Sequence, residues 1–481
     1  MTRSFDGVLL DNAHVDSALV DSALVDSALV DSALSDSALF DAARPVLGDD
    51  AVDACLRRLH APLRIALAGT LKAGKSTLLN ALIGHSVAPT DATECTRVVT
   101  TYRRAPAPVA EAVHDGGRRT PIRWPPDGTG KALHSLEVGL PAPLLERYTL
   151  VDTPGTSSNS RAVSARTLAY LDPDDGVCEA DAVVYLLRSL HDSDLALLRR
   201  VQAQVGRGGP LGVVGVLSRA DEDGPTPAEL RDDPRLDGLP RDFLPVSGLL
   251  ALRGRTLRQD EFTALAALAR RPVAELDAAL VSPGRFLAAT GHDGLLDAWG
   301  MHGIAEAVAL VRGGATTAPA LAAALIRRSG LEGLTRILEA RIGERAAALR
   351  MRAALRELRG RLAGRATRLV AGIDRALADD HALVELRTLG ALPGLTTLPV
   401  PTRIALDRVL GGAGTRPTVR LGLPAGVSGR EMHAAAVRAA MHWRRRLDDP
   451  LLDPRARRAL RAAVRSCEGV AAGAAVRTRA S

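Results

Sequence analysis

Apolar positions in the first half of the chain fall in short runs separated by polar or helix-forming stretches. Leu63-Arg-Ile-Ala-Leu-Ala68, Arg97-Val-Val-Thr-Thr-Tyr102, Tyr148-Thr-Leu-Val151, Ala182–Leu187, Gly212–Leu217 and Phe243-Leu-Pro-Val246 have the length of buried strands rather than helices. Helical patterns lie between them, beginning with Thr77–Ile83, and residues 41–60 read as a helix leading into the first strand. Such alternation predicts an α/β domain whose mostly parallel sheet carries helices on both faces. Asp115-Gly-Gly117 marks a hairpin inside an insert between the second and third of these strands.

Beyond about residue 255 the pattern changes to long Leu/Ala/Arg/Glu stretches, predicting an α-helical neck and stalk bundle. Met351, Leu355, Leu358, Leu362 and Leu369 fall on one helical face rimmed by arginines, suited to a bundle or to a lipid surface, with the bundle favoured. A Pro/Gly-rich stretch from Gly390 to Gly429 interrupts the helices, which resume from Glu431 to Val470. Leu389–Val400 is the best candidate for a lipid-inserting segment, although an ordinary interhelical loop is favoured there. At the other end, residues 15–39 repeat a five-residue word, Val-Asp-Ser-Ala-Leu, whose period matches neither helix nor strand. The expected organisation is therefore a low-complexity arm over 1–40, disordered or loosely helical; a leading helix over 41–60; a nucleotide domain over 61–255; and a helical domain over 256–481.

Composition changes the picture in three ways. Aromatic residues make up 2% of the chain, so its cores must be built from Leu, Val and Ala. Residues 321–481 carry 30 arginines against 14 acidic residues, although the whole chain is only +7, which points to an anionic partner or to solvated helix faces. The four cysteines stand apart with no metal-ligand spacing, which suits a reducing cytoplasm. There is no run of eighteen apolar residues to span a bilayer and no secretory leader pattern, so a peripheral position on a membrane is the most that is expected.

The main chemistry sits at Gly69-Thr70-Leu71-Lys72-Ala73-Gly74-Lys75-Ser76-Thr77, which fits the phosphate-loop pattern GxxxxGK[ST] between a strand and a helix. Its glycines let backbone N–H groups close on a β-phosphate, and the helix N-terminus adds partial positive charge. Lys75 is placed to reach the β- and γ-phosphates, and Ser76 to hold Mg²⁺. The chain has 62 Lys and Arg but only three lysines, Lys72, Lys75 and Lys131, and two of them lie in this loop. A compact ammonium fits such a nest where a guanidinium fork does not.

Four further segments occur in the order that GTPases require. Asp152-Thr-Pro-Gly155 ends a strand, its aspartate expected near Mg²⁺ and its Gly155 N–H near the γ-phosphate. Thr96, with Thr93 as the local alternative, stands where a switch threonine closes over Mg²⁺. Ser218-Arg219-Ala-Asp221 follows a strand where a base-reading motif belongs, and Ser247-Gly248 follows the last strand, where a backbone N–H meets the guanine O6. The Asp221 carboxylate can accept from both N1–H and N2–H₂ of guanine, and adenine offers no such donor pair. The site thus calls for GTP or GDP with Mg²⁺, with Lys75, Thr96 and Lys72 as candidate catalytic groups and Ser76, Thr96 and Asp152 around the metal.

With "GTLKAGKSTLLNALIG", "YTLVDTPGTSS" and "GVVGVLSRADE" in place, the chain resembles the bacterial dynamin-like GTPases of the actinobacterial branch. The resemblance runs from about Asp41 to Leu252 and, more loosely, through much of the tail. It implies a GTPase domain on a helical neck and stalk, pairing with itself or with a second dynamin-like chain and acting at an anionic membrane surface. Three positions depart from the family pattern: Leu71-Lys72 replace Gln-Ser, Thr156 stands where a water-positioning Gln would be, and Ser218-Arg219 replace the usual Asn/Thr-Lys. Slow intrinsic hydrolysis is the expectation. Two other readings stay open, a regulatory or ribosome-associated GTPase and a nucleotide-binding scaffold, but no RNA-binding module is visible and nucleic acid is a disfavoured partner.

Overall fold

The computed structural model describes residues 30–88, 98–114, 118–123, 135–155, 167, 170–171, 180–203, 212–219, 226, 229–230, 233–236, 239 and 243–480. Nine strands among them form one sheet: β1 Leu63–Gly69, β2 Val99–Arg104, β3 Val109–Val113, β4 Arg119–Pro121, β5 Ser135–Leu140, β6 Tyr148–Asp152, β7 Ala182–Leu187, β8 Gly212–Ser218 and β9 Phe243–Val246. Their spatial order is β4-β3-β5-β2-β6-β1-β7-β8-β9. β1 runs parallel to both β6 and β7, with Leu63 opposite Tyr148 and Ile65 opposite Ala182, and β8 and β9 continue parallel. The carboxyl ends of these five strands therefore share one edge, the edge where open α/β sheets bind ligands.

On the other side of β6 the sheet turns mixed. β2 pairs antiparallel with β6, β5 parallel with β2, and β3 antiparallel with β5 and β4. The mostly parallel expectation thus holds, with an antiparallel wing for which the sequence offered only a hairpin signal. The Asp115–Gly117 turn lies outside the described residues, but the strands flanking it pair as a hairpin should. β2 also continues past Tyr102, because Arg103 finds Glu111 and Glu137 across the wing and Arg104 finds Glu146. The parallel half is buried along its full width, and Val183, Tyr185, Leu187, Leu195, Leu198 and Leu217 share one core.

The chain folds into two compact units. The larger joins residues 60–349 with 378–481, so its sheet and most of the following helices form one body. The reason lies in the backbone: Ser247 N–H donates to Ser329 O at 2.8 Å, and Gly330, at φ +76°, passes so close to β9 that a Cβ there would sit 2.4 Å from Pro245 O. Farther along the Leu331–Arg341 helix, Glu339 accepts from Arg147 Nη2 at 2.7 Å and from Tyr148 OH at 3.0 Å. Among the described residues, no helix is long and apolar enough to cross a membrane.

The smaller unit packs residues 350–377 against the N-terminal helices Val30–Leu47 and Asp49–Leu56. The first of these takes in the last two copies of the repeated word, while residues 15–29 lie outside the described residues. Leu355, Leu358, Leu362 and Ile373 bury against Phe40, Ala43, Val52 and Cys55. The apolar face from Met351 to Leu369 is thus a bundle face. It is also split between two helices, Ala346–Leu362 and Thr367–Asp379, because Gly364 at φ +73° ends the first.

Two further expectations change. Leu389, Leu392, Leu395 and Leu398 are core residues beside Trp443 and Leu460, so the leucines of the candidate lipid-inserting segment are buried, while Ala391, Gly394, Thr396, Thr397, Pro399 and Val400 are exposed. The Pro/Gly-rich stretch also holds the helices Val400–Val409 and Pro417–Leu421, because Pro401 and Pro417 stand in their first turns, where proline starts a helix rather than breaking it. Part of the arginine excess serves internal pairs such as Arg341–Asp407 and Arg420–Glu385.

Glu385 is the hub of those pairs. It is 2% exposed, beside Arg345, also 2% exposed, at 3.6 Å, with Arg420 gripping both carboxylate oxygens and Ser466 Oγ donating at 2.7 Å. Burial alone would raise this carboxyl, but hydrogen bonds from His381 and Arg420 and the charge of Arg345 hold it well below the usual carboxylate range. Removing one partner of a buried ionic cluster leaves the other unpaired, at about 3–5 kcal/mol. Glu385→Gln is expected to cost that much in urea unfolding near neutral pH. A depressed pKa stabilises above the unfolded value, so the gap narrows as pH falls below about 4.3.

Candidate functional site

The phosphate loop leaves β1 at Gly69, where φ is +148° and a Cβ would collide with Leu186 O at 2.2 Å. It enters the Lys75–Ile83 helix through Gly74, at φ +81°. Between them Ala73 N–H donates to Thr70 O at 3.2 Å, closing the turn, and Leu71 and Lys72 face solvent. Lys75 is 8% exposed, and its Nζ donates to the carbonyls of Gly69 at 3.3 Å and Thr70 at 3.2 Å. Two of its three protons are engaged by the loop, and one remains for a phosphate oxygen.

Opposite the loop, β6 delivers Asp152. Its Oδ2 accepts from Ser76 Oγ at 3.1 Å, while Oδ1 is buried and, among the described residues, has no hydrogen-bond partner. Burial pushes this carboxyl up to about 6 against the pull of Lys75 and Ser76, and burial lowers Lys75 against the pull of Asp152. An orphaned carboxylate oxygen beside a serine hydroxyl is a donor set that suits a hard cation such as Mg²⁺. The strand end is pinned by Thr153, whose Oγ1 donates to Leu67 O at 2.8 Å. Gly155 closes on the loop: a Cβ there would lie 3.1 Å from Leu71 Cα and 3.2 Å from Lys75 Nζ.

Beside the loop a cavity of about 240 Å³ is lined by Gly74, Thr77, Ser218, Arg219, Ser247 and Gly248, with Leu186 and Val216 among its apolar walls. Three motifs far apart in sequence thus meet in one space. Ser218 lines the cavity, and its Oγ donates to Leu187 O at 3.0 Å, tying β8 to β7. Ser247 caps the Gly248–Thr256 helix by accepting from Leu250 N–H, and Gly248 packs on the Leu78 backbone, where a Cβ would lie 3.1 Å from its nitrogen. Thr93, Thr96, Thr156 and Asp221 lie outside the described residues. Sequence reasoning missed the brace behind the site, Glu339 on Tyr148 and Ser329 on Ser247. No local pattern signals it, since the Glu339 partners are 191 and 192 residues away.

The Dynamin family model matches residues 65–119. Isoniazid-induced protein IniC of Mycobacterium tuberculosis (strain ATCC 25618 / H37Rv) is 44% identical over 453 residues, 86% of this chain and 91% of that protein. The chain belongs to the bacterial dynamin-like GTPase family. Isoniazid-induced protein IniA of the same strain is 32% identical over 137 residues, 25% of this chain and 20% of that one. A solved chain of an oligomerised bacterial dynamin pair aligns with a TM-score of 0.39 and 12% identity, over 94% of this chain and 75% of that chain. Membership in the dynamin-like family implies a guanine nucleotide site, and the cavity beside the phosphate loop is where the geometry provides one.

Because the Asp152 pKa is raised, its protonated form is the one folding favours. Its stabilisation is complete below the unfolded pKa near 3.9 and is lost as pH rises through about 6. Asp152→Asn is therefore expected to raise the nucleotide-free melting temperature at about pH 8 and to leave it unchanged at about pH 4. In calorimetric titration the same variant loses the dependence of nucleotide affinity on Mg²⁺.

Proposed function

We propose that the protein binds GTP with Mg²⁺, hydrolyses it to GDP and phosphate, and uses that cycle to associate with itself or a second dynamin-like chain on the inner face of the cytoplasmic membrane. The observation that carries the reading is the pairing of a nearly buried Lys75 with an Asp152 whose second oxygen has no hydrogen-bond partner among the described residues. That arrangement suits a triphosphate and a divalent cation, and a merely structural loop has no use for it. Lys75 binds the β- and γ-phosphates, and the Gly155 N–H meets the γ-phosphate. Ser76, Asp152 and Thr96 hold Mg²⁺, which when bound draws charge from the phosphate oxygens. Asp221 reads the guanine edge, Arg219 lays its stem along the base, and Ser247 and Gly248 border it. The membrane part of the reading rests on the arginine excess over residues 321–481 and on family membership.

Phosphate release from GTP and ATP, with and without liposomes rich in anionic lipid, tests this. The expected result is GTP-selective turnover that rises with liposomes, falls with added salt and vanishes in Lys75→Ala. Asp221→Ala is expected to lower GTP affinity on the order of a thousandfold. Turnover indifferent to lipid would favour a regulatory GTPase, and tight binding without turnover a scaffold.

A further inference from the structure

One wall of the nucleotide cavity is made by Val246, Ser247, Gly248 and Leu249, the end of β9 and the start of the Gly248–Thr256 helix. It shares the cavity with Leu186 of β7 and Val216 of β8. This is the wall whose backbone N–H groups are expected to meet the guanine O6. Its position therefore decides the length of that hydrogen bond.

What fixes the position lies outside the cavity. Ahead of the helix, Ser247 N–H donates to Ser329 O at 2.8 Å, and a Cβ on Gly330 would lie 2.4 Å from Pro245 O. Near the other end of the helix, Gly254 is buried against the Ala318–Ser329 helix. A Cβ there would stand 2.8 Å from Ile326 Cγ1 and 3.0 Å from Ala322 O. Between these two points Leu250 shares a core with Leu321 and Leu325. Glycine weakens a helix interior, so its place at 254 is explained by that close approach. Side chains in contact can turn to absorb a displacement, but backbone resting on backbone passes it on. None of Gly254, Ala322, Ile326, Ser329 and Gly330 lines the cavity.

We propose that Gly254 and Gly330 are positioning residues of the guanine pocket. By admitting the Ala318–Ser329 helix and the turn after it to backbone distance, they set where the Ser247–Leu249 wall stands and so how tightly guanine is held. Neither touches the nucleotide. The phosphates are held by the loop after β1, so a displaced wall loosens the base and leaves the reacting end in place. A misplacement of about 1 Å is enough to spoil a contact of this kind. The assignment rests on the guanine reading above.

Gly254→Ala in the full chain tests it, because alanine suits a helix interior and the added methyl acts only through the neighbouring helix. The dissociation constant for GDP is expected to rise about tenfold. KM for GTP rises by the same factor, kcat at saturating GTP is unchanged, and adding Ile326→Ala to make room recovers part of the GDP affinity. In wild type, saturating GDP slows amide hydrogen exchange over residues 318–334 more than over residues 367–379 of the smaller unit. A folded Gly254→Ala protein with wild-type GDP affinity overturns the assignment, as does a fall in kcat at unchanged KM. Exchange in wild type that GDP slows equally in the two segments, or in neither, overturns it even if the variant does not fold. Wild type that binds no guanine nucleotide overturns the guanine reading itself, so the two failures are distinguishable.

Discussion

A lysine ammonium at 8% exposure cannot sit at the end of a parallel sheet unless its lost hydration is replaced. Lys75 replaces it with the carbonyls of Gly69 and Thr70 and with the opposing charge of Asp152. Each of these depends on something else. The carbonyls converge only because Gly69 and Gly74 take backbone angles closed to other residues, and Asp152 arrives only because β6 pairs with β1 in a register that sets it opposite Leu67. The sheet order, the loop and the carboxylate with a free oxygen follow from keeping one charge buried.

The same edge of the sheet collects the rest of the site. β8 and β9 bring Ser218, Arg219, Ser247 and Gly248 to the wall of one cavity, while Ser329 and Glu339 fasten the following helices behind them. The helices at residues 318–341 thus share one compact unit with the sheet. Helices farther along join the same body, and the ionic cluster around Glu385 locks several of them together. Arginine serves this chain as an internal fastener as much as a surface charge, which a net count could not reveal.

The strands and the phosphate loop were legible because their signals are local. Leu63–Ala68 is a short apolar run, GxxxxGK[ST] follows it directly, and Thr77–Ile83 has helical composition. Asp152-Thr-Pro-Gly was legible for the same reason, and β6 ends on its aspartate. What local pattern could not supply was context. Pro401 and Pro417 read as breakers although each stands in the first turn of a helix, where the missing N–H costs nothing. Met351 to Leu369 read as one helix until Gly364 placed a left-handed residue in the middle. The hydrogen bond from the Ser218 hydroxyl to Leu187 O had no signal of its own, because a buried serine at a strand end satisfies whichever carbonyl the fold brings nearest. The backbone contacts through Ser329 and Gly330, which tie the later helices to β9, carry no sequence signature of their own.

The central claim is that four separated loops build one Mg²⁺-dependent guanine nucleotide site on this sheet edge. Calorimetric titration of the full chain with GDP and with ADP, each with Mg²⁺ and with chelator, addresses it directly. The account predicts saturable GDP binding that weakens when Mg²⁺ is removed, with ADP binding far weaker under every condition. Equal binding of the two nucleotides, or GDP binding untouched by loss of Mg²⁺, would contradict it.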